Sequence, residues 1–202
     1  LGIKDGHARV VANSLAVGSA CLGLEDAYSI MEWSLKSVCL NYEAFRANIN
    51  ILSEASLKAR PAFGQVQVGS MLRDLLSGSA LWQKDAARRL QDPLSYRCVP
   101  QVWGGMLHAM EEAREASEIE LNCSGDNPVV VVASNEIIPT ANFDMTAFTL
   151  SWERLGQAIA HCAAGTAHRC MKIMSPSVSD LPRFLSSRGQ HYGGYAVLQK
   201  SI

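Results

Sequence analysis

Apolar residues recur at helical spacing along most of the chain. From Asn13 to about Leu40 the run SLAVGSACLGLEDAYSIMEWSLKSVCL carries few charges, Asp26, Glu32 and Lys36 among them, so it predicts a helix covered on more than one face. A shorter helical stretch follows around Tyr42–Ile51. Pro61 fits the opening of a helix, where its missing N–H is not needed; this helix would carry Val66, Val68, Met71, Leu72, Leu75 and Leu76 and end near Gly78. Pro93 interrupts the pattern and predicts a loop or turn over Arg89–Tyr96. Beyond it Val99, Val102, Met106, Met110 and Ala113 recur every three or four residues, with Glu111, Glu112, Glu115 and Glu118 on the other side. That is an amphipathic helix with a solvated acidic face.

Asp126-Asn127-Pro128 predicts a turn, and Val129–Ala133 a short strand with Ile137 and Ile138 as its hairpin partner. A long helix over Asp144–Met174 follows, its stripe formed by Phe148, Trp152, Leu155, Ile159, Cys162, Thr166, Cys170 and Met174. At 1.5 Å per residue it would run roughly 46 Å. No charge falls between Arg154 and Arg169, and small residues (Ala158, Ala160, Ala163, Ala164, Gly165, Ala167) allow close helix approach. One chain of this size has too few other helices to cover such a rod, which implies a helical homo-oligomer. The expectation is an all-α fold: residues 1–202 as one region of long bundled helices, with at most one short β-hairpin.

Composition narrows the function. The 202 residues are 48% hydrophobic, with 18 basic against 19 acidic side chains, so no charge excess favours nucleic acid or an anionic membrane. No apolar run reaches bilayer-spanning length. The six cysteines are scattered without a CxxC pair, which fits core packing in a reducing cytoplasm. His161 and His168 stand seven residues apart, too far for a one-helix metal pair, and read better as buried or interface histidines. P-loop, dinucleotide and HExxH motifs are absent. The chain opens on Leu1 without a signal-peptide pattern and reads as a piece of something longer.

Three segments carry specific chemistry. QDPLSYRCVPQV (Gln91–Val102) resembles the QDPYSLRC-x-PQV signature of the aromatic amino acid ammonia-lyases; ELNCSGDNP (Glu120–Pro128) resembles their E-x-NSATDNP; and ANF (Ala141–Phe143) stands where they carry GGNF. KDGHA (Lys4–Ala8), RPAFGQ (Arg60–Gln65), LRDLLSGS (Leu72–Ser79), SDLPRFL (Ser179–Leu185) and GYAVLQ (Gly194–Gln199) match in the family's order, so the resemblance spans nearly the whole chain.

The resemblance implies long helices of the fumarase–aspartase-like superfamily, assembled as a cytoplasmic homotetramer with active sites shared between subunits. It implies removal of ammonia from a small aromatic L-amino acid. The electrophile is 4-methylidene-imidazol-5-one (MIO), formed autocatalytically from an Ala-Ser-Gly tripeptide that lies outside this sequence. Cys123-Ser124-Gly125 is not that tripeptide, because its flanks belong to the later asparagine-rich motif. Arg97 matches the arginine that pairs with the substrate carboxylate, and Gln91 the glutamine that helps hold substrate and MIO. Phe143 matches the aromatic packed near MIO, with Asn142 orienting its turn; Asn13 aligns with the asparagine of the NGT motif, although it lies two residues further from Lys4 than the family spacing.

The departures matter too. Leu94 replaces the tyrosine of QDPY, removing its hydroxyl; Tyr96, pointing the same way on an extended loop, is the candidate to substitute for it catalytically. Asp144 replaces the usual histidine or glutamine after NF. No metal ligand set is expected. The RC-x-PQV wording is closer to histidine than to plant phenylalanine enzymes, which implies conversion of L-histidine to urocanate by the full-length protein and no activity in this piece alone. Alternatives are a phenylalanine or tyrosine ammonia-lyase, an aminomutase, or a non-catalytic helical assembly module derived from such an enzyme.

Overall fold

The computed structural model describes residues 2–3, 5–187 and 193–201; Lys4, which opens the KDGHA match, lies outside them. Among the described residues the fold is all-α with one two-stranded hairpin, as the periodicity predicts. Helices run α1 (Asp5–Val11), α2 (Ser14–Phe45), α3 (Glu54–Lys58), α4 (Gln65–Leu75), α5 (Leu94–Arg97), α6 (Val99–Asn122), α7 (Thr146–Ile173), α8 (Pro176–Ser179) and α9 (Leu198–Ser201). The antiparallel strands β1 (Val129–Val131) and β2 (Glu136–Ile138) pair Val129 with Ile138 and Val131 with Glu136. Asn135 takes φ 55° in the hairpin turn, a left-handed conformation that asparagine tolerates.

The contacts divide the chain into two compact units, residues 1–30 with 109–156 and residues 31–108 with 157–202. In the first, Val17, Ala20 and Phe148 form a buried cluster covered by Ala116, Met145 and Trp152. The Trp152 indole N–H donates to Ser117 Oγ at 3.3 Å. The predicted acidic face of α6 is solvated and laced with ion pairs: Arg114 reaches Glu111 at 3.0 Å and Glu118 at 2.5 Å, and Arg154 reaches Glu112 at 2.6 Å.

The second unit holds the larger core. Along α2 the line Met31, Leu35, Val38, Tyr42, Phe45 is buried at helical spacing, while Trp33 and Leu40 lie on the outside. Val99 and Met106 of α6 are buried in this unit too, as the sequence pattern requires. Trp103 donates its indole N–H to Ser34 Oγ at 2.7 Å, and Gly165 of α7 leaves room for its ring. The 61–78 helix differs from expectation. It begins at Gln65, because Gly64 at φ 70° is its N-cap, and a side chain there would enter the Gly104 carbonyl.

Within α7 the predicted stripe is the inward one: Phe148, Leu155 and Cys162 are buried. Ala160, His161, Ala163, Ala164 and His168 are exposed in the single chain, so the uncharged rod presents an open face of small residues. No helix among the described residues is long and apolar enough to cross a membrane.

Candidate functional site

Gln91, Tyr96 and Arg97 lie in the second unit, on a segment strapped to the end of α2. The Arg46 guanidinium donates to Ala86 O at 3.0 and 3.2 Å, and Arg88 N to Arg46 O at 2.9 Å. Asn48 Nδ2 donates to Leu90 O at 2.9 Å, and its backbone N–H to Asp92 Oδ2 at 2.6 Å. Asp92 is 4% exposed, and this burial pushes its pKa up against the opposing pull of the Asn48 N–H, Arg89, Arg97 and Arg88.

Three arginines thus serve one short segment, in different ways. Arg88 and Arg89 reach carbonyls of α8: Arg88 donates to Ser179 O and pairs with Asp180 at 3.3 Å, and Arg89 donates to Val178 O at 2.7 Å. Arg97 is half-buried, and its Nε donates to Asp92 O at 2.8 Å. Its two terminal nitrogens take no hydrogen bond among the described residues. A guanidinium held by one edge with the other open suits a bidentate carboxylate. Gln91, close by in sequence, is exposed.

Of the expected loop or turn, the segment takes the turn at its end. Pro93 is the extended N-cap of a helical turn, α5. Residues two apart on a helix point to opposite sides, so Leu94 and Tyr96 separate: Leu94 is 65% exposed and Tyr96 1%. Tyr96 stacks on Phe45 at 4.2 Å between centroids, and burial raises its hydroxyl pKa well above the usual phenol value. It is a core residue, on the other side of the turn from Leu94.

Asn13, Asn142 and Phe143 lie in the first unit. Asn13, at φ 48°, makes the joint between α1 and α2, and its amide reaches Met145 Sδ at 3.1 Å. Asn142 Nδ2 donates to Ser124 O at 3.3 Å, tying the ANF turn to the ELNCSGDNP motif. Thr140 adds two ties, N to Asn127 Oδ1 at 2.8 Å and Oγ1 to Asp126 O at 3.1 Å. Between these segments lies a small crevice whose lining includes Val11, Cys123, Asn142, Phe143 and Met145. Phe143 is 52% exposed. Asp144 is used locally. Its Oδ1 accepts Thr146 N at 2.9 Å at the start of α7, and the hydrogen bonds from Thr146 hold its pKa below the usual value.

Sequence reasoning missed Arg169, which is 3% exposed. Its heptad spacing from Leu155 and Cys162 on the buried stripe was the available signal, hidden because arginine is ordinarily read as a surface residue. Burial lifts the Cys162 thiol to about 12, so it is an inert packing group. Among the described residues no group of three or more His, Cys, Asp or Glu side chains could hold a metal.

Comparison with known proteins places these elements in context. The family model described as aromatic amino acid lyase matches residues 1–202. The chain is 29% identical to a histidine ammonia-lyase of Alkaliphilus oremlandii over 198 residues, 98% of this chain but 39% of that enzyme. Among solved structures, ergothionase of Treponema denticola, an ergothioneine-degrading enzyme, superposes with a TM-score of 0.87 at 30% identity, covering 94% of this chain and 38% of that one. A tyrosine aminomutase superposes with a TM-score of 0.89 at 26% identity, covering 99% of this chain and 42% of its own. The chain therefore spans about two fifths of the length of the relatives it matches.

Proposed function

Because this chain belongs to the aromatic amino acid lyase family, we propose that it is the central helical portion of a longer ammonia-lyase acting on an aromatic L-amino acid, L-histidine first among them. The observation that carries the substrate assignment is the Arg97 guanidinium, fixed through Nε on Asp92 O and open along its other edge. That edge binds the substrate carboxylate, and Gln91, near it in sequence, helps hold the substrate. The likeness to histidine ammonia-lyases favours histidine over phenylalanine or tyrosine.

The crevice of the first unit suits the MIO group implied by the family. A half-exposed phenyl ring and a neighbouring amide, Phe143 and Asn142, are the partners a small planar carbonyl-bearing heterocycle needs. Phe143 would pack against it and Asn142 would keep the turn in place. When present, MIO supplies an electrophilic carbon that makes the substrate amine a good leaving group. The base that takes the β-proton lies outside this sequence, since Tyr96 is buried and Leu94 has no proton to exchange. The protein works as a cytoplasmic homotetramer, and the open small-residue face of α7 is a surface for helices of other copies.

The test is Arg97→Lys in the full-length lyase. A lysine keeps the charge but loses the fork, so KM for L-histidine should rise about tenfold or more with a smaller change in kcat. An unchanged KM would remove the carboxylate assignment. A second reading, an aminomutase, is favoured by the similarity to tyrosine aminomutase, and a β-amino acid product would establish it.

A further inference from the structure

Arg169 is the least expected polar group in the molecule. It is 3% exposed, and no carboxylate pairs with it among the described residues. Burying an unpaired cation is costly, and desolvation indeed lowers its pKa. Its contacts show where it is held. The guanidinium lies over the Trp103 ring at 4.8 Å, Nη2 donates to Thr166 Oγ1 at 2.9 Å, and Nη1 donates to Ser95 O at 3.0 Å.

Ser95 O is one of two carbonyls at the break between α5 and α6. The other, Tyr96 O, cannot be served by a helical i→i−4 bond, because the residue in the donor position is Pro100. Tyr42 of α2 fills that role, its buried hydroxyl donating to Tyr96 O at 2.7 Å. Two buried donors from two long helices therefore hold the two carbonyls immediately before Arg97. The Tyr96 carbonyl shares its peptide plane with the Arg97 N–H, so fixing it fixes the direction in which the Arg97 side chain leaves the backbone.

We propose that Arg169 and Tyr42 are positioning residues for Arg97, orienting its open guanidinium edge toward the substrate carboxylate. The inference rests on the reading of Arg97 given above and adds how that side chain is aimed. Neither residue touches substrate. Their work is to keep the α5–α6 break in one geometry, since a displacement of about 1 Å is enough to weaken a bidentate contact severely.

The test uses the full-length lyase with Tyr42→Phe, Arg169→Lys and Arg97→Ala, alone and in pairs with Arg97→Ala. Tyr42→Phe and Arg169→Lys should each raise KM for L-histidine about three- to tenfold, with kcat within about twofold of the parent. On the Arg97→Ala background neither should raise KM further, because the side chain they aim is gone. A lowered Tm with unchanged KM, or full additivity with Arg97→Ala, would overturn the inference while leaving the carboxylate reading intact. An Arg97→Ala enzyme with unaltered KM would sink both. Should Arg169→Lys fail to fold, Tyr42→Phe decides alone, since it removes one oxygen from a ring whose stacking survives.

Discussion

The turn that carries Arg97 and the crevice that carries Phe143 hold comparable side chains by different means. In the turn, buried groups from distant elements hold the backbone: Tyr42 on Tyr96 O, Arg169 on Ser95 O, and Asp92 on the Asn48 N–H. In the crevice, short polar side chains hold segments that are themselves exposed: Asn142 on Ser124 O, and Thr140 on Asp126 O. Hydrogen bonds out of water are stronger and leave costly orphans when broken, so the turn is rigid at the expense of coupling to the core. Solvated ties are individually weak and locally replaceable. A carboxylate contact requires fixed fork geometry, whereas an aromatic ring packed by its face tolerates small displacements.

The largest expected effect breaks the turn's support. Trp103 is 1% exposed, donates to Ser34, lies against Gly165 and presents its ring to Arg169. Trp103→Ala should cost about 3–5 kcal/mol of stability, measured by denaturant unfolding. It removes a large buried ring and also leaves the Arg169 cation without its π face. A loss below about 1 kcal/mol would mean that the core beneath the turn is not closely packed.

The same contrast explains what could be read from the sequence. Long helices were legible because their apolar residues repeat: α6 and α7 lie close to their predicted ranges, and the hairpin follows Val129–Val131 and Glu136–Ile138. Gln91, Asn142 and Arg97 were identifiable only as parts of motifs, since no periodicity marks them. The α5 turn was not legible. Pro93 signals a break equally well when it precedes a loop or caps a helical turn, and that choice decides whether Tyr96 faces water or the core. Pairings such as Tyr42 with Tyr96 O, 54 residues apart in the chain, follow only from tertiary packing.

A smaller effect separates burial from charge at Asp92. Its pKa in the folded state lies above the unfolded value of about 3.9, so the native state holds this proton more tightly. Below the unfolded value both states are protonated and no penalty exists. As pH rises through the unfolded and then the folded pKa, the native state loses stability, because it must ionise a buried carboxyl. Asp92→Asn abolishes that loss. The stability of the variant relative to the parent should therefore increase between pH 4 and pH 7, as followed by urea unfolding at each pH. The opposite slope would show that Arg88, Arg89 and Arg97 outweigh desolvation.

The smallest effect on stability belongs to the crevice, and it sharpens the comparison most directly. Phe143 is 52% exposed, so truncation removes only part of a ring's buried area. At ~25 cal/mol per Å² the loss should stay within about 1 kcal/mol. Its neighbours stay tied without it, because the Asn142–Ser124 and Thr140–Asp126 hydrogen bonds involve no atom of the phenyl group. Phe143→Ala should accordingly unfold at nearly the parent's denaturant midpoint while turnover in the full-length lyase falls. A stability loss as large as that of Trp103→Ala would mean that the ring is part of a core, and the distinction between a pinned turn and a solvated crevice would not hold.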